Sequence, residues 1–382
     1  MSRILFIRSN SVNPDPRVEK SAYALGKNGF EVEILSWDRS SKMEKNENKG
    51  FYTIKRIRLK APYGELELII KLFFWFFYEI FYLIRADFDI LHACDFDTLL
   101  PALIISKIRK KTLVYDSFDF YADSLPESTP YFFRKIIAEM EIFLSNFADL
   151  IIIADESRKY QFKNKYNKKT IVINNSPIDE YDLHSQNHIS KQSTSFTIFY
   201  AGIINRSRGL NQIVKAVGDI KGLRLLIAGY DADKDGLINK ISNANNVKFL
   251  GKLSYDEVIK YTFEADLLFA LYDPIIPNHK YSSPNKLFEA MMCGKPIIVS
   301  NNTKMANIVK KSNCGIAIQY NNIDHLRKSI VTLKNNPNLC KKLGKNGRQV
   351  YEDKFSWEIM ERRLIESYQS LDNQIDKNEK KS

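Results

Sequence analysis

Short apolar runs alternate with longer stretches of helical periodicity along this chain, and the alternation is played through twice. Ile4-Leu-Phe-Ile7 forms the centre of a strand predicted over Arg3–Arg8. Val18, Ala22 and Leu25 then share one helical face, and Gly29 ends that helix before Val32-Glu-Ile-Leu35. Further strands are expected at Asp89–His92, Thr112–Tyr115, Leu150–Ala154 and Thr170–Ile173. The second half repeats the pattern at Phe196–Ala201, Leu223–Ala228, Val247–Leu250, Leu267–Leu271, Ile297–Val299 and Ile316–Ile318. Unbroken apolar strands separated by periodic helices indicate parallel sheets covered on both faces. With 382 residues there is material for two α/β domains, each with its own core.

Asp179–Ser195, rich in Ser, Asn, Gln and His, reads as the connection between the halves. The expected layout is an N-terminal domain over 1–180, a linker over 181–195 and a C-terminal domain over 196–355. A last helix over 356–371 would cross back to the first domain, and a polar tail over 372–382 would be disordered. Doubly wound sheets place ligands at the carboxyl ends of their strands, which here means a cleft between domains.

One stretch is more informative than the rest: Tyr281-Ser-Ser-Pro-Asn-Lys-Leu-Phe-Glu289-Ala-Met-Met-Cys-Gly294-Lys-Pro-Ile-Ile-Val-Ser300. Ser283 suits an N-cap and Pro284 the first helical position, where a missing N–H costs nothing. Gly294 suits a left-handed C′ residue, and Pro296 prevents the helix from continuing. Asn285, Lys286 and Glu289 share a face, opposite Leu287, Phe288, Met291 and Met292. The free N–H groups of such a helix start suit a phosphate. Glu289, one turn further in, can accept hydrogen bonds from paired hydroxyls such as those of a ribose. An ordinary capped helix with a solvated Lys and Glu fits the spacing equally well.

Ser-Pro-Asn-Lys-Leu-Phe-Glu followed by Gly-Lys-Pro-Ile-Ile resembles the donor-nucleotide motif of retaining, GT-B-fold glycosyltransferases of family 4. The resemblance runs from the first strand to Ser356-Trp357-Glu358. It implies an α/β chain of GT-B architecture, with two doubly wound Rossmann-like domains and an interdomain cleft. It also implies donor contacts from Gly202, Ser283, Pro284, Asn285, Lys286 and Glu289. Many relatives carry Glu-x7-Glu, and Tyr281 stands here at the first of those positions.

Gly202-Ile-Ile-Asn-Arg206-Ser-Arg208-Gly209 follows a strand and opens a helix with Leu210, Ile213, Val214 and Val217 on one side. Two guanidiniums at such a turn can make bidentate contacts to phosphate oxygens, or stand as solvated turn residues. The resemblance implies the first role for Arg208 and Arg206, with Asp119 as the carboxylate of the catalytic set. Departure of a nucleotide leaves negative charge on its diphosphate, and cations aimed there favour the transition state. That arrangement needs no metal, and none is expected. Asp231-Ala-Asp233 has the spacing of a metal motif but reads as a loop pair.

In the first half, Val114-Tyr-Asp116-Ser-Phe118-Asp119 resembles a Tyr-Asp-Ser-His-Glu-type segment near the acceptor, with Phe118 in place of His. Asp116 is equally a plain strand-end residue. His92 and Asp95 follow another strand and can line the same cleft, although a lone His there is more often structural. Asn13-Pro-Asp15-Pro-Arg17 resembles the start of the relatives' first helix, with Asp15 a cap and Arg17 a cleft residue.

Leu66–Ile84, LELIIKLFFWFFYEIFYLI, is intensely apolar, yet Glu67, Lys71 and Glu79 interrupt it and rule out a spanning segment. A helix in a membrane interface and a deeply buried core helix both fit. Nearby Lys55, Arg56, Arg58 and Lys60 favour an anionic lipid surface. The net charge of +12 fits that surface and a diphosphate ligand. The basic residues are too scattered for a nucleic-acid site. Four dispersed cysteines without His partners are expected to be reduced, and the chain opens directly on a strand, so the expected setting is cytoplasmic, at most peripheral to the inner face of the plasma membrane.

The expected activity is transfer of a sugar from a nucleotide-sugar co-substrate, UDP-linked, to a lipid-linked or growing surface polysaccharide acceptor, with no other cofactor. Two alternatives stay open: a UDP-sugar 2-epimerase of the same fold, and a nucleotide-sugar-binding protein without turnover.

Overall fold

The computed structural model describes residues 1–61, 66–125, 129–163, 169–185, 195–231, 238 and 245–379. The chain divides into two compact units, Met1–Asn174 with Met360–Ser382, and Asn175–Ile359.

The first unit contains β1 (Arg3–Arg8), α1 (Pro16–Lys27), β2 (Glu31–Asp38), β3 (Asn46–Asn48), β4 (Thr53–Arg58) and α2 (Leu66–Arg85). It continues with β5 (Ile90–Cys94), α3 (Phe96–Ile108), β6 (Thr112–Ser117), α4 (Tyr121–Ser124), α5 (Tyr131–Ser145), β7 (Leu150–Ile153) and β8 (Lys169–Val172). The strands order as β3-β4-β2-β1-β5-β6-β7-β8, parallel except for the β3–β4 pair. β1 pairs with both β2 and β5, so the winding reverses there, with Arg8 and Asp95 at the strand ends. β3 and β4 were absent from the sequence reading. Thr53-Ile-Lys-Arg-Ile-Arg alternates buried and outward positions and lies near the sheet edge, so it lacks an apolar run. Lys55, Arg56 and Arg58 of the basic cluster assigned to lipid sit on this strand, and Lys60 follows it. Arg56 is buried there, donates to the carbonyls of Ser11 (2.7 Å) and Val12 (3.3 Å) and pairs with Glu47 at 2.6 Å, so it is a structural cation.

The second unit contains α6 (Tyr181–Ser185), β9 (Phe196–Ile204), α7 (Leu210–Val217), β10 (Leu223–Asp231), β11 (Val247–Phe249), α8 (Tyr255–Glu264) and β12 (Leu267–Ala270). Then come α9 (Pro277–Tyr281), α10 (Asn285–Met292), β13 (Ile297–Ser300), α11 (Lys304–Ser312), β14 (Gly315–Ile318), α12 (Ile323–Lys334) and α13 (Pro337–Val350). All six strands are parallel, in the order β11-β10-β9-β12-β13-β14. Phe199, Leu268 and Val299 face one core and Ile198, Phe269 and Ile298 the other, which is why these strands read as unbroken apolar runs. Asp179 takes a two-pronged ion pair from Arg348 (2.7 and 2.8 Å), tying the start of the expected linker to α13. Residues 186–194 of that linker lie outside the described residues.

α14 (Trp357–Glu379) begins in the second unit and belongs to the first from Met360 onward. It continues through most of the tail read as disordered. Leu371 is buried, and Asp372 accepts from the Ser2 amide at 2.9 Å, so contacts remote in sequence stabilise a polar segment that has little apolar content of its own.

Candidate functional site

In the second sheet the winding reverses between β9 and β12. The strand ends there bound a cavity of about 360 Å³, lined by β9, β10, the turn after β12 and the start of α10. Its floor is backbone. Gly202 and Gly229 are register partners at φ +148° and +140°; a Cβ on Gly229 would meet the Gly202 carbonyl, and one on Gly202 would press on the Lys286 ammonium at 3.2 Å.

The turn after β9 is built around Gly209, at φ +71°, where a Cβ would fall 2.3 Å from that of Leu271. Close packing there brings Arg206–Arg208 against the end of β12, and the Asp273 amide donates to the Ser207 carbonyl at 3.0 Å. The Arg208 guanidinium consequently lies 4.0 Å from the centre of the Tyr272 ring and lines the cavity. Arg206 is exposed and does not line it.

α10 presents its N-terminus to the same space through Pro284, Asn285 and Lys286. Pro284, not Ser283, occupies the cap position, and no side chain caps the helix, so its first amides are not claimed by a capping side chain. Ser283 is buried one residue earlier and is not part of the cavity wall. At the other end Gly294 takes the left-handed conformation expected of it (φ +63°). The Lys295 amide reaches the Ala290 carbonyl (2.8 Å) and the Gly294 amide that of Met291 (3.1 Å), which completes a Schellman cap. Glu289 is buried one turn into the helix and lines the cavity.

Lys286 is buried with its ammonium 3.3 Å from the Tyr272 hydroxyl and 4.6 Å from the centre of the Tyr200 ring. Tyr272 thus carries one cation over its face and another at its hydroxyl. Among the described residues neither Arg208 nor Lys286 has a carboxylate within salt-bridge distance, and the buried Nε of Arg208 has no acceptor. Two cations without a salt bridge among the described residues, beside a helix N-terminus, suit an anionic ligand.

The first-unit candidates gather at the ends of β1, β5 and β6, but largely satisfy one another. Arg17 clamps both Asp116 oxygens (2.6 and 3.3 Å) and donates to the Ile173 carbonyl (2.6 Å). His92 bonds the Tyr368 hydroxyl, stacks on Phe6 at 4.0 Å and lies 3.5 Å from Asp116. Burial holds His92 below its ordinary pKa. Burial also acts to raise Asp116, but Arg17 and His92 outweigh it and keep the carboxylate low. Asp15 caps α1 as expected and also takes Arg8 at 2.8 Å. Asp95 pairs with Arg8 and accepts from the Phe118 amide (3.0 Å), and burial raises it to about 6 against the pull of Arg8. The Phe118 ring packs under both Arg8 (4.4 Å) and Arg17 (4.8 Å). Asp119 pairs with Arg158 and is half exposed.

Tyr272, Tyr200 and Tyr255 line the cavity and were missed by the sequence reading. The available signal for Tyr272 was its place just beyond a buried strand at the winding reversal. Asp233 lies outside the described residues, and among those described no group of three His, Cys, Asp or Glu side chains is placed to hold a metal ion.

Residues 184–350 match the family model Glycosyl transferases group 1. The match contains both halves of the cavity wall, the 202–209 turn and the 283–289 helix start. An uncharacterized glycosyltransferase of Methanocaldococcus jannaschii is 25% identical over 303 residues, covering 74% of this chain and 75% of the relative. The capsular polysaccharide biosynthesis glycosyltransferase CapM of Staphylococcus aureus is 21% identical over 364 residues, covering 91% and 92%. Among solved structures, the sucrose-phosphate synthase of Thermosynechococcus elongatus superposes with a TM-score of 0.77 at 16% identity, covering 97% of this chain and 99% of that one. HepE of Anabaena, in complex with UDP-glucose, gives 0.68 at 17%, covering 97% and 100%. The fold is therefore the GT-B α/β fold, as the resemblance of the motifs implied.

Proposed function

We propose that the second-unit cavity holds the diphosphate of a UDP-sugar, and that the chain is a retaining glycosyltransferase working without a metal at the cytoplasmic face of the membrane. The acceptor is a lipid-linked or growing surface polysaccharide. The observation that carries this reading is the pair Arg208 and Lys286, two cations on one tyrosine, without a salt bridge among the described residues and facing a cavity floored by glycine backbone. As the bond between the sugar carbon and the diphosphate oxygen breaks, negative charge collects on the phosphates. Arg208, Lys286 and the α10 amides meet that charge more strongly than they meet the intact donor, which lowers the barrier. Glu289 fits the ribose hydroxyls. Arg206, exposed beside the turn, is assigned to phosphate approach, and Asp119 to the first-unit side of the reaction. The UDP-glucose complex of HepE supports the choice of nucleotide, and the name of CapM supports the choice of acceptor.

Calorimetric titration tests the assignment. UDP is expected to bind more tightly than GDP and with equal affinity in EDTA. Glu289→Ala is expected to weaken UDP about tenfold, the scale of a lost buried hydrogen-bond pair. An equal loss from Asp233→Ala would remove the reason for placing the nucleotide here.

A further inference from the structure

α2, α3 and α5 cover one face of the first sheet, with α3 packed against both others. Their inner sides belong to the core: Trp75 stacks on Trp37 at 5.5 Å, and Leu83, Leu103 and Ile142 are buried. Their outer sides are apolar as well. α2 turns Phe73, Phe74, Phe77 and Phe81 outward along one stripe, and α5 does the same with Phe132, Phe133 and Phe143. Ile104 and Ile108 of α3, the helix packed against both, are exposed as well. Each of these phenylalanines is more than half exposed. At roughly 100 Å² apiece they form a patch larger than the ~300–600 Å² usual for a monomer's largest.

Among the described side chains, the charges exposed on these helices are mostly of one sign. Arg85, Lys107 and Lys135 are exposed, whereas the exposed acid Glu139 is paired with Lys163. Arg85 folds back over the Phe81 ring at 3.6 Å, a cation lying along the edge of the apolar stripe. Among the described residues no helix is long and apolar enough to cross a membrane. An apolar stripe on each of two helices, with exposed cations on the same helices that form no salt bridge among the described residues, suits the boundary between lipid headgroups and acyl chains.

We infer that this three-helix face docks on an anionic lipid bilayer, with the α2 and α5 phenylalanines entering the acyl boundary and Arg85, Lys107 and Lys135 meeting lipid phosphates. The surface is wider than the 66–84 segment singled out in the sequence: the inner side of that helix belongs to the core, and its outer side is part of the face assigned here to lipid. The inference stands apart from the nucleotide assignment, because its readout is lipid and not UDP.

Co-sedimentation of the full chain with phosphatidylcholine vesicles and with equimolar phosphatidylcholine–phosphatidylglycerol vesicles tests it. Binding to the anionic vesicles is expected to exceed binding to the neutral ones about tenfold and to fall with added salt. Phe77→Ser with Phe81→Ser, joined to Phe133→Ser with Phe143→Ser, is expected to abolish binding, and Lys107→Glu with Lys135→Glu to abolish the anionic preference. Hydrogen exchange of the unsubstituted chain requires no variant, and vesicles are expected to slow exchange in α2 and α5. Unchanged exchange, or full binding by the four-serine chain, overturns the inference. So does a dimer that those serines disperse in the absence of vesicle binding, since a second copy would then cover the face.

Discussion

Gly229 stands opposite Gly202 in the β9–β10 ladder, and a Cβ on Gly229 would lie 1.8 Å from the Gly202 carbonyl oxygen. No side chain fits that distance, so the two strand ends close into a smooth backbone floor below Lys286. Gly229→Ala must push the strands apart at a backbone atom and also strain a residue at φ +140°. A loss of about 1–3 kcal/mol in stability is expected, the range for overpacking. UDP binding is expected to fall further than stability alone accounts for. Denaturant titration and calorimetry on the same preparation separate the two effects.

The strands that form this floor were legible in the sequence because both their faces are buried, leaving Phe196–Ala201 and Leu267–Leu271 almost free of charge. Gly294 was legible for a local reason, since a left-handed C′ residue is fixed by its own helix. What escaped notice depends on partners remote in sequence. Tyr272 acquires meaning only when Gly209 lets Arg208 settle above it, and Leu371 to Glu379 holds as helix where Asp372 finds Ser2. The cap moved from Ser283 to Pro284 because Ser283 is buried just outside the helix, where its side chain does not cap the first turn. β4 was hidden by its own arginines, one of which is buried.

Tyr272 separates two contributions to anion binding. Tyr272→Phe keeps the ring beneath Arg208 and removes the hydroxyl 3.3 Å from Lys286, so UDP affinity is expected to fall no more than about threefold, since the hydroxyl orients the ammonium and Lys286 keeps its charge. Tyr272→Ala also removes the surface that positions Arg208, and a loss of about tenfold or more is expected on the scale of a desolvated cation–π contact. Identical affinities for the two variants would mean that the ring does not position the guanidinium.

Arg208→Lys tests whether shape matters beyond charge. The guanidinium lies flat on Tyr272 and can present a fork to two phosphate oxygens, whereas an ammonium offers a point charge. About a tenfold loss in UDP affinity is expected, with a much smaller effect on uridine, which lacks phosphates. Equal losses for both ligands, measured by titration, would place Arg208 at the base or the ribose instead.

Glu141 makes the stability of the first unit depend on pH. Its carboxyl is buried beneath α5, accepting from the Tyr121 amide (2.9 Å) and bonding the Tyr115 hydroxyl (2.8 Å), and burial raises its pKa from 4.5 to about 8. Between those values the folded chain retains a proton that the unfolded chain has released. Stability is therefore full below pH 4.5 and declines as pH rises through 8, by at most about 1.4 kcal/mol per pH unit from this group. Burial raises Glu79 and Asp95 as well, so both add in the same direction. Glu141→Gln keeps the hydrogen-bonding shape and removes the titration. Urea midpoints at pH 6 and pH 8 are expected to diverge less for that variant than for the unsubstituted chain, and an unchanged difference would show that Glu141 is ionised in the fold.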